Sequence, residues 1–325
     1  MDLCEHMSAV TVSSVKQWQH YQTIDSTNLA ALRYLRKADA LYLSSAGEKP
    51  EIHTIISANE QTRGRGRMGR NWVSKRNQGL YASYICVMSR NFYDQHGAWL
   101  STVAGIGALE ALRELSGVQV QLKWPNDLYI TDKKLGGILC ESIVDEQAEL
   151  VHVVVGIGIN LQSTPNLDAH SDVPYVATSL AQWASKDIVC DDSLTRALIE
   201  RIAYYLNNHL AQYDAAAMHE LAKEYSATIG RHIIVQSVDG SQYEAQAIDI
   251  AADGALEVLP VSAAHGDIQK NYAANSIGDN PHSVFIHVGD VLHARLASGE
   301  NPTLSINQNE EKKEIRGHNE KTLNC

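Results

Sequence analysis

The sequence predicts an α+β protein: a mixed, largely antiparallel sheet with helices on one side, followed by a small β-barrel. Three observations carry this. Apolar, β-prone runs at His53–Ala58, Leu80–Met88 and Val151–Asn160 are separated by turn and loop chemistry. Apolar residues recur at helical spacing in NLAALRYLRK from Asn28 and in DSLTRALIERIAYYLNNHLAQY from Asp192. After Ile229 short strands follow one another closely, with hairpin signals between them.

The elements follow in order. Asp25, Ser26 or Thr27 each suits the N-cap of the first helix. Between the first two apolar runs lies RGRGRMGRNW, Arg63 to Trp72, which holds four arginines and three glycines. Glycine lets backbone N–H groups approach a ligand and tolerates positive φ. Arginine adds a permanent charge and a planar fork that fits phosphate or carboxylate. On a chain of net charge -11, such a patch points to a local anion site rather than a nucleic-acid surface. The alternative is a solvated surface loop. Gly64–Gly69 also fits G-x-G-x-x-G, but that fingerprint needs a helix after it. The run after Gly69 leads into Leu80–Met88, a strand, so the dinucleotide reading fails.

Lys123-Trp124-Pro125-Asn126-Asp127 lies between VQVQL and LYI, at a bend between two strands. Pro125 biases Trp124 away from the helical region and cannot donate to a central ladder. An ammonium, an amide and a carboxylate meet there, a set that can hold a phosphate and a metal together. Plain turn chemistry at Asn126-Asp127 and a core role for Trp124 are the alternatives. KKLGGILCE, Lys133 to Glu141, is a turn and then a strand with no bulk at its start. VHVVVGIGIN, Val151 to Asn160, is a buried strand ending in Asn.

Leu161–Val176 is polar loop. Asp192 or Ser193 caps the second helix, and Met218–Ser226 forms another. RHIIVQSV, a turn at Asp239-Gly240, YEAQAIDI, a turn at Asp253-Gly254 and ALEVLP make the strands of the barrel, and Val261–Ser283 reads as an inserted loop. Ser298–Cys325 is polar, charged and apolar-poor, a disordered tail.

Other classes are excluded by what the sequence lacks. The short segment before Trp18 holds no pair of helices joined by a turn, so a DNA-binding regulator, the rival from another class, is disfavoured. Met1–Val15 has no basic region ahead of an apolar core, and no apolar run is long enough to span a bilayer. The five cysteines show no metal spacing, and Cys86 and Cys140, in apolar strands, read as buried free thiols, which fits a reducing cytoplasm. The histidines form no HExxH or comparable pair.

STN at Ser26–Asn28, QTRGRGRMGR at Gln61–Arg70, KWPNDLY at Lys123–Tyr129, KLGGIL at Lys134–Leu139 and GIGIN at Gly156–Asn160 together resemble the bacterial biotin protein ligases, the biotin–[acetyl-CoA-carboxylase] ligases. The motifs stand in that family's order and spacing. The resemblance covers residues 17 to 225 well and 228 to 297 weakly. It implies a leader at 1–16, a catalytic domain of the biotin/lipoate ligase type at 17–227, a small SH3-like barrel at 228–297 and a tail at 298–325. Gly289-Asp290-Val291 with Arg295 resembles the closing pattern of that barrel.

The activity implied is activation of biotin by ATP to biotinyl-5′-AMP, then transfer to a lysine of a biotin carboxyl carrier protein. Lipoate–protein ligation is the nearest enzymatic rival. By resemblance, Lys123 lies between the biotin carboxyl and the α-phosphate, and Arg67 and Arg70 belong to a loop that closes over the phosphates. Ser26, Thr27, Gln61, Gly64, Arg65, Gly136 and Gly137 would serve biotin, with Gly136, Gly137, Gly156 and Gly158 keeping the strand surface low so that rings can lie on it. Arg65, Asn126 and Asn160 would serve the nucleotide, and Tyr175, with Trp183 second, would stack on adenine. Asp127 would meet Mg²⁺. The resemblance leaves a homodimer open and implies neither a nucleic-acid nor a membrane partner.

Overall fold

A computed structural model describes residues 15–37, 49–145, 149–165, 176–237, 241–261, 283–287 and 291–296. Among these, the first sheet has seven strands: β1 (Gln17–Tyr21), β2 (Glu51–Ala58), β3 (Gly79–Ser89), β4 (Gln121–Lys123), β5 (Asp127–Ile130), β6 (Lys133–Asp145) and β7 (Leu150–Asn160). Their order is β1-β2-β3-β7-β6-β5-β4. Only the β1–β2 pair is parallel, so the sheet is mixed and largely antiparallel, as the sequence predicts.

The helices are α1 (Thr27–Leu35), α2 (Arg90–His96), α3 (Leu100–Ser116), α4 (Asp192–Ala211) and α5 (Ala215–Glu224). The period-2 alternation of the strands decides which face each helix covers. Ala82, Tyr84, Cys86 and Met88 of β3, with Val151, Val153 and Val155 of β7, pack into one core with Val103, Ile106 and Leu109 of α3 and Leu198, Ile202 and Leu206 of α4. The intervening residues Ile85 and Val154 point the other way and meet Ala30, Ala31, Leu32 and Leu35 of α1. The long helices therefore share one face, and the short α1 covers part of the opposite one. On that opposite face α1 leaves room for a site.

Asp191, one residue earlier than expected, caps α4 by accepting from the backbone of Ser193 and Leu194. The second sheet holds β8 (His232–Ser237), β9 (Gln242–Ile250), β10 (Leu256–Pro260), β11 (Val284–Ile286) and β12 (Val291–Leu296), in the order β11-β10-β9-β8-β12. All its pairings are antiparallel. The Asp239-Gly240 turn, Gly289, Asp290, most of the Val261–Ser283 insertion, the leader up to residue 14 and the 298–325 tail lie outside the described residues. No helix among the described residues is long and apolar enough to cross a membrane.

Candidate active site

The predicted residues gather on the α1 face of the first sheet. Ser26 occupies the N-cap position of α1, yet no side chain caps the helix there. Capping alone therefore does not account for the Asp25-Ser26-Thr27 run. Asp25 instead accepts the Ser26 N–H at 2.8 Å and takes a two-pronged bond from Arg33 at 2.7 and 2.8 Å. That guanidinium holds its carboxyl down at about 2. Ser26 and Thr27 are buried. Thr27 donates from its N–H (2.8 Å) and hydroxyl (3.2 Å) to Gln61 Oε1, and Gln61 Nε2 donates to Ser74 at 2.9 Å. Ser26, Thr27 and Gln61 thus form one rigid polar corner.

The arginine loop closes this corner from above. Gly64 is there because a Cβ would strike the Trp72 carbonyl. Arg67–Gly69 makes one turn of 3₁₀ helix, with Met68 held at φ 55. Gly66 N–H donates to the Arg70 carbonyl at 2.7 Å, and Trp72 N–H to Gly64 at 2.9 Å. Arg65 turns away to Glu141, at 2.9 Å. Arg67 turns toward the β4–β5 bend and donates to Asn126 Oδ1 at 3.1 Å.

At that bend the cations converge. Lys134 Nζ lies 2.7 Å from Asp127 Oδ1, each side chain 13% exposed. Asn126 is locked by its amide on the Ile138 carbonyl (2.6 Å) and by the Ile138 N–H on its own carbonyl (2.8 Å). Lys123 is buried, with its ammonium 5.4 Å from the centre of the Tyr129 ring. Burial pushes it down to about 8; Asp127 opposes this, and Lys134 and Arg70 add to it. Burial lowers Arg67 as well, Asp127 opposing and Arg70 adding. Lys134 pairs with Asp127, whose charge also acts on Lys123 and Arg67, while Arg70, itself exposed, adds positive charge beside them. An excess of positive charge in a water-poor bend is an anion site.

Beside it opens a cleft lined by Asn71, Trp72, Val73, Lys134, Asn160 and Ala177. Lys134 is 5.8 Å from the centre of the Trp72 ring. Trp72 Nε1 is buried without a hydrogen-bond partner among the described residues, a donor that a ligand acceptor would satisfy. Asn160 donates to the Thr178 carbonyl at 3.0 Å, which ties the end of β7 to the cleft wall.

The glycines of the two strands make room for the protein's own groups. A Cβ on Gly158 would come within 2.7 Å of Trp72, so a ring does lie on that strand, but it is the protein's own indole. Gly156 makes room for the Asn28 amide. Gly136 faces the Gly158 carbonyl, and Gly137 faces Asp127 and Lys134. Trp183 is 38% exposed and donates to Thr178 Oγ1 at 2.7 Å. Tyr175 lies outside the described residues.

Lys134, Trp72, Asn28 and Glu141 are site residues that sequence reasoning did not single out. Lys134 stands in plain view as the first residue of KLGGIL, but in the sequence it belongs only to a turn before a strand. No spacing rule reveals that the β5–β6 hairpin folds it back onto Asp127.

A cationic bend beside a tryptophan-lined cleft on a mixed, largely antiparallel sheet defines the class: an α+β protein whose site suits an anionic ligand. The comparisons specify it further. Residues 34–160 match the model of the biotin/lipoate A/B protein ligase family. A biotin–[acetyl-CoA-carboxylase] ligase of Mycobacterium tuberculosis is 31% identical over 230 residues, which cover 67% of this chain and 77% of that one. The bifunctional ligase/repressor BirA of Bacillus subtilis is 31% identical over 206 residues, 62% of this chain and 60% of the relative. The chain thus spans about 60% of the length of that relative. A biotin protein ligase of Aquifex aeolicus, solved in complex with biotin and ATP, shares the fold, with a TM-score of 0.58 at 21% identity over 87% of this chain and 100% of that one. The chain belongs to the biotin protein ligase family.

Proposed function

We propose that the protein activates biotin with ATP and transfers the biotinyl group to a lysine of a biotin carboxyl carrier protein. In the first step a biotin carboxylate oxygen attacks the α-phosphorus. A P–O bond forms, the bond to the β-phosphate oxygen breaks, and pyrophosphate leaves with the electron pair. In the second step the carrier lysine amine attacks the acyl carbon, the acyl C–O bond to AMP breaks, and the amine loses a proton. The product is an amide.

The observation that supports this reading is the buried Lys123 and the Lys134–Asp127 pair, with Arg67 reaching the same bend through Asn126, together with the polar corner of Ser26, Thr27 and Gln61. Bringing carboxylate to phosphate opposes two anions. Preorganised cations in a dry site relieve that repulsion and stabilise charge as it develops. Lys134 and Lys123 would meet the carboxylate and α-phosphate, and Arg67 and Arg70 the phosphates. The Ser26 hydroxyl, free of a capping bond, suits the ureido group, and the Asn160–Trp72 cleft suits the nucleoside. Among the described residues no cluster of three metal-binding side chains exists. Asp127 alone fits a Mg²⁺ held mostly by phosphate oxygens and waters, which would neutralise the leaving pyrophosphate.

The test is purified protein with ATP, Mg²⁺ and either biotin or lipoate, followed by pyrophosphate release. Release with biotin alone supports the reading. Release with lipoate alone assigns the other branch of the family. A carrier domain is then added, and its mass increase reports the transfer.

A further inference from the structure

A chain of hydrogen bonds crosses the α1 face and joins the arginine loop to the polar corner. Glu141 of β6 stands in its middle. The Glu141 carboxylate accepts from Arg65 Nη1 at 2.9 and 3.1 Å and from Asn28 Nδ2 at 3.0 Å. Asn28 is buried and donates also to the Leu139 carbonyl at 3.2 Å. Its Oδ1 accepts from the Ser83 hydroxyl at 2.6 Å. Ser83 is in turn 2.8 Å from Thr27 Oγ1, which reaches Gln61.

Proton counting fixes the orientation of the Asn28 amide within this chain. Leu139 O and the Glu141 carboxylate can only accept, so the Asn28 nitrogen must face both, and its oxygen must face Ser83. The Asn28 amide lies directly on the backbone of Gly156, in the space that a Cβ there would fill. Asn28, Ser83 and Glu141 stand on α1, β3 and β6. Arg65 is the member of the chain that belongs to the loop. Its backbone neighbour Gly64 sits against Gln61 Nε2, which a Cβ would approach to 3.2 Å.

Charge separates Arg65 from Arg67 and Arg70. Arg67 and Arg70 act on the groups around Asp127, whereas Arg65 is paired with its own carboxylate. A neutralised guanidinium adds little to the field at the bend.

We infer that Glu141 is a positioning residue that pins Arg65 to Asn28, so that the loop backbone at Gly64–Gly66 is held over the acid subsite, and that Arg65 is a strut rather than a phosphate ligand. The inference rests on the proposed function only for the identity of the acid. Loss of the strut frees the loop over the acid subsite and leaves the cations at the bend in place.

The experiment compares wild type with Glu141→Ala, Arg65→Ala, the double variant and Glu141→Gln. In pyrophosphate release, both single alanine variants should raise KM for biotin about tenfold, with KM for ATP and kcat changing much less, and the double variant should do no more than either one. Glu141→Gln, which keeps an acceptor for both donors, should recover most of the loss. Hydrogen exchange on the ligand-free protein decides the point without activity. The Gly66, Arg70 and Trp72 amides should exchange about tenfold faster in Glu141→Ala and in Arg65→Ala, with no further gain in the double variant. Unchanged exchange in Glu141→Ala overturns the inference. So does a higher KM for ATP in Arg65→Ala with none in Glu141→Ala, which would make Arg65 a phosphate ligand. A wild type that releases no pyrophosphate with biotin defeats the functional reading instead, and the exchange result still stands.

Discussion

Lys134 Nζ sits 2.7 Å from Asp127 Oδ1, and each side chain is 13% exposed. The pair joins the two strands of the β5–β6 hairpin at the bend after β4, so one carboxylate fixes the Lys134 ammonium beside the Lys123–Asp127 motif. Asp127→Asn removes the one negative charge and leaves the cations to repel each other. Pyrophosphate release should fall on the order of a hundredfold, and the melting temperature should drop, since a partly buried ammonium loses its partner. Lys134→Met should cost a similar factor in rate with a smaller loss of stability. Near-wild-type rates in both variants would remove this pair from the chemistry.

Lys123 gives opposite trends for activity and stability. Its folded pKa, about 8, lies below the ordinary 10.5 because of burial. Between those values the unfolded chain holds a proton that the folded chain has released, so this group's contribution to stability rises with pH. Its charge, and its help to an anion, fade as pH rises through about 8. The kcat/KM for ATP should therefore decline above that pH. Lys123→Met keeps the apolar stem, loses the decline, keeps or raises the melting temperature at neutral pH, and loses about a hundredfold in rate. A Lys123→Met enzyme that retains both its rate and the same pH limb would show that Lys123 only fills space.

The extent to which the sequence revealed the site follows from range. The Gly64–Arg70 loop and the Lys123–Asp127 bend were readable because each packs its chemistry into consecutive residues, and the strands around them announce themselves by alternation. Asn160 likewise stands where its strand ends. Long-range contacts left no such mark. Glu141 ended a motif as an ordinary strand residue, and its bonds to Asn28 and Arg65 span 113 and 76 residues. Trp72 looked like the tail of the loop, because nothing local says that its indole lies on Gly158. The face covered by α1 was equally hidden, since an amphipathic stripe shows that a helix packs but not on which side of a sheet.

The two sheets meet through tryptophans. Trp124 Nε1 donates to the Gly254 carbonyl at 3.1 Å, and Trp99 Nε1 to the Ala252 carbonyl at 2.7 Å. Both acceptors belong to the turn between β9 and β10, and Trp124 adjoins Lys123. Trp124→Phe keeps the ring burial and loses one bond, so stability should fall by about 1 kcal/mol, or more if the Gly254 carbonyl stays dry. Urea unfolding measures this. An unchanged midpoint would mean that the turn is held without that bond.

Arg67 lies at the crest of the loop and reaches the bend through Asn126, at 3.1 Å. It therefore bridges the loop and the bend, whereas Ser26, Thr27 and Gln61, which on the proposed reading would hold the acid end, bond to one another without it. A mixed anhydride is reactive and must stay enclosed until its acceptor arrives, and loop closure is what excludes water and retains it. Arg67→Gly removes the bridge and adds backbone freedom. The variant should still release pyrophosphate but should lose the adenylate early, and escaped adenylate acylates exposed lysines without selection. Incubation with biotin, ATP and serum albumin, followed by a blot for biotin, reads this directly. Albumin should be labelled by the variant well above the wild-type level. Equal labelling at normal pyrophosphate release would show that the Arg67–Asn126 bridge does not retain the intermediate, and that the lid is held by other contacts such as Arg65 on Glu141.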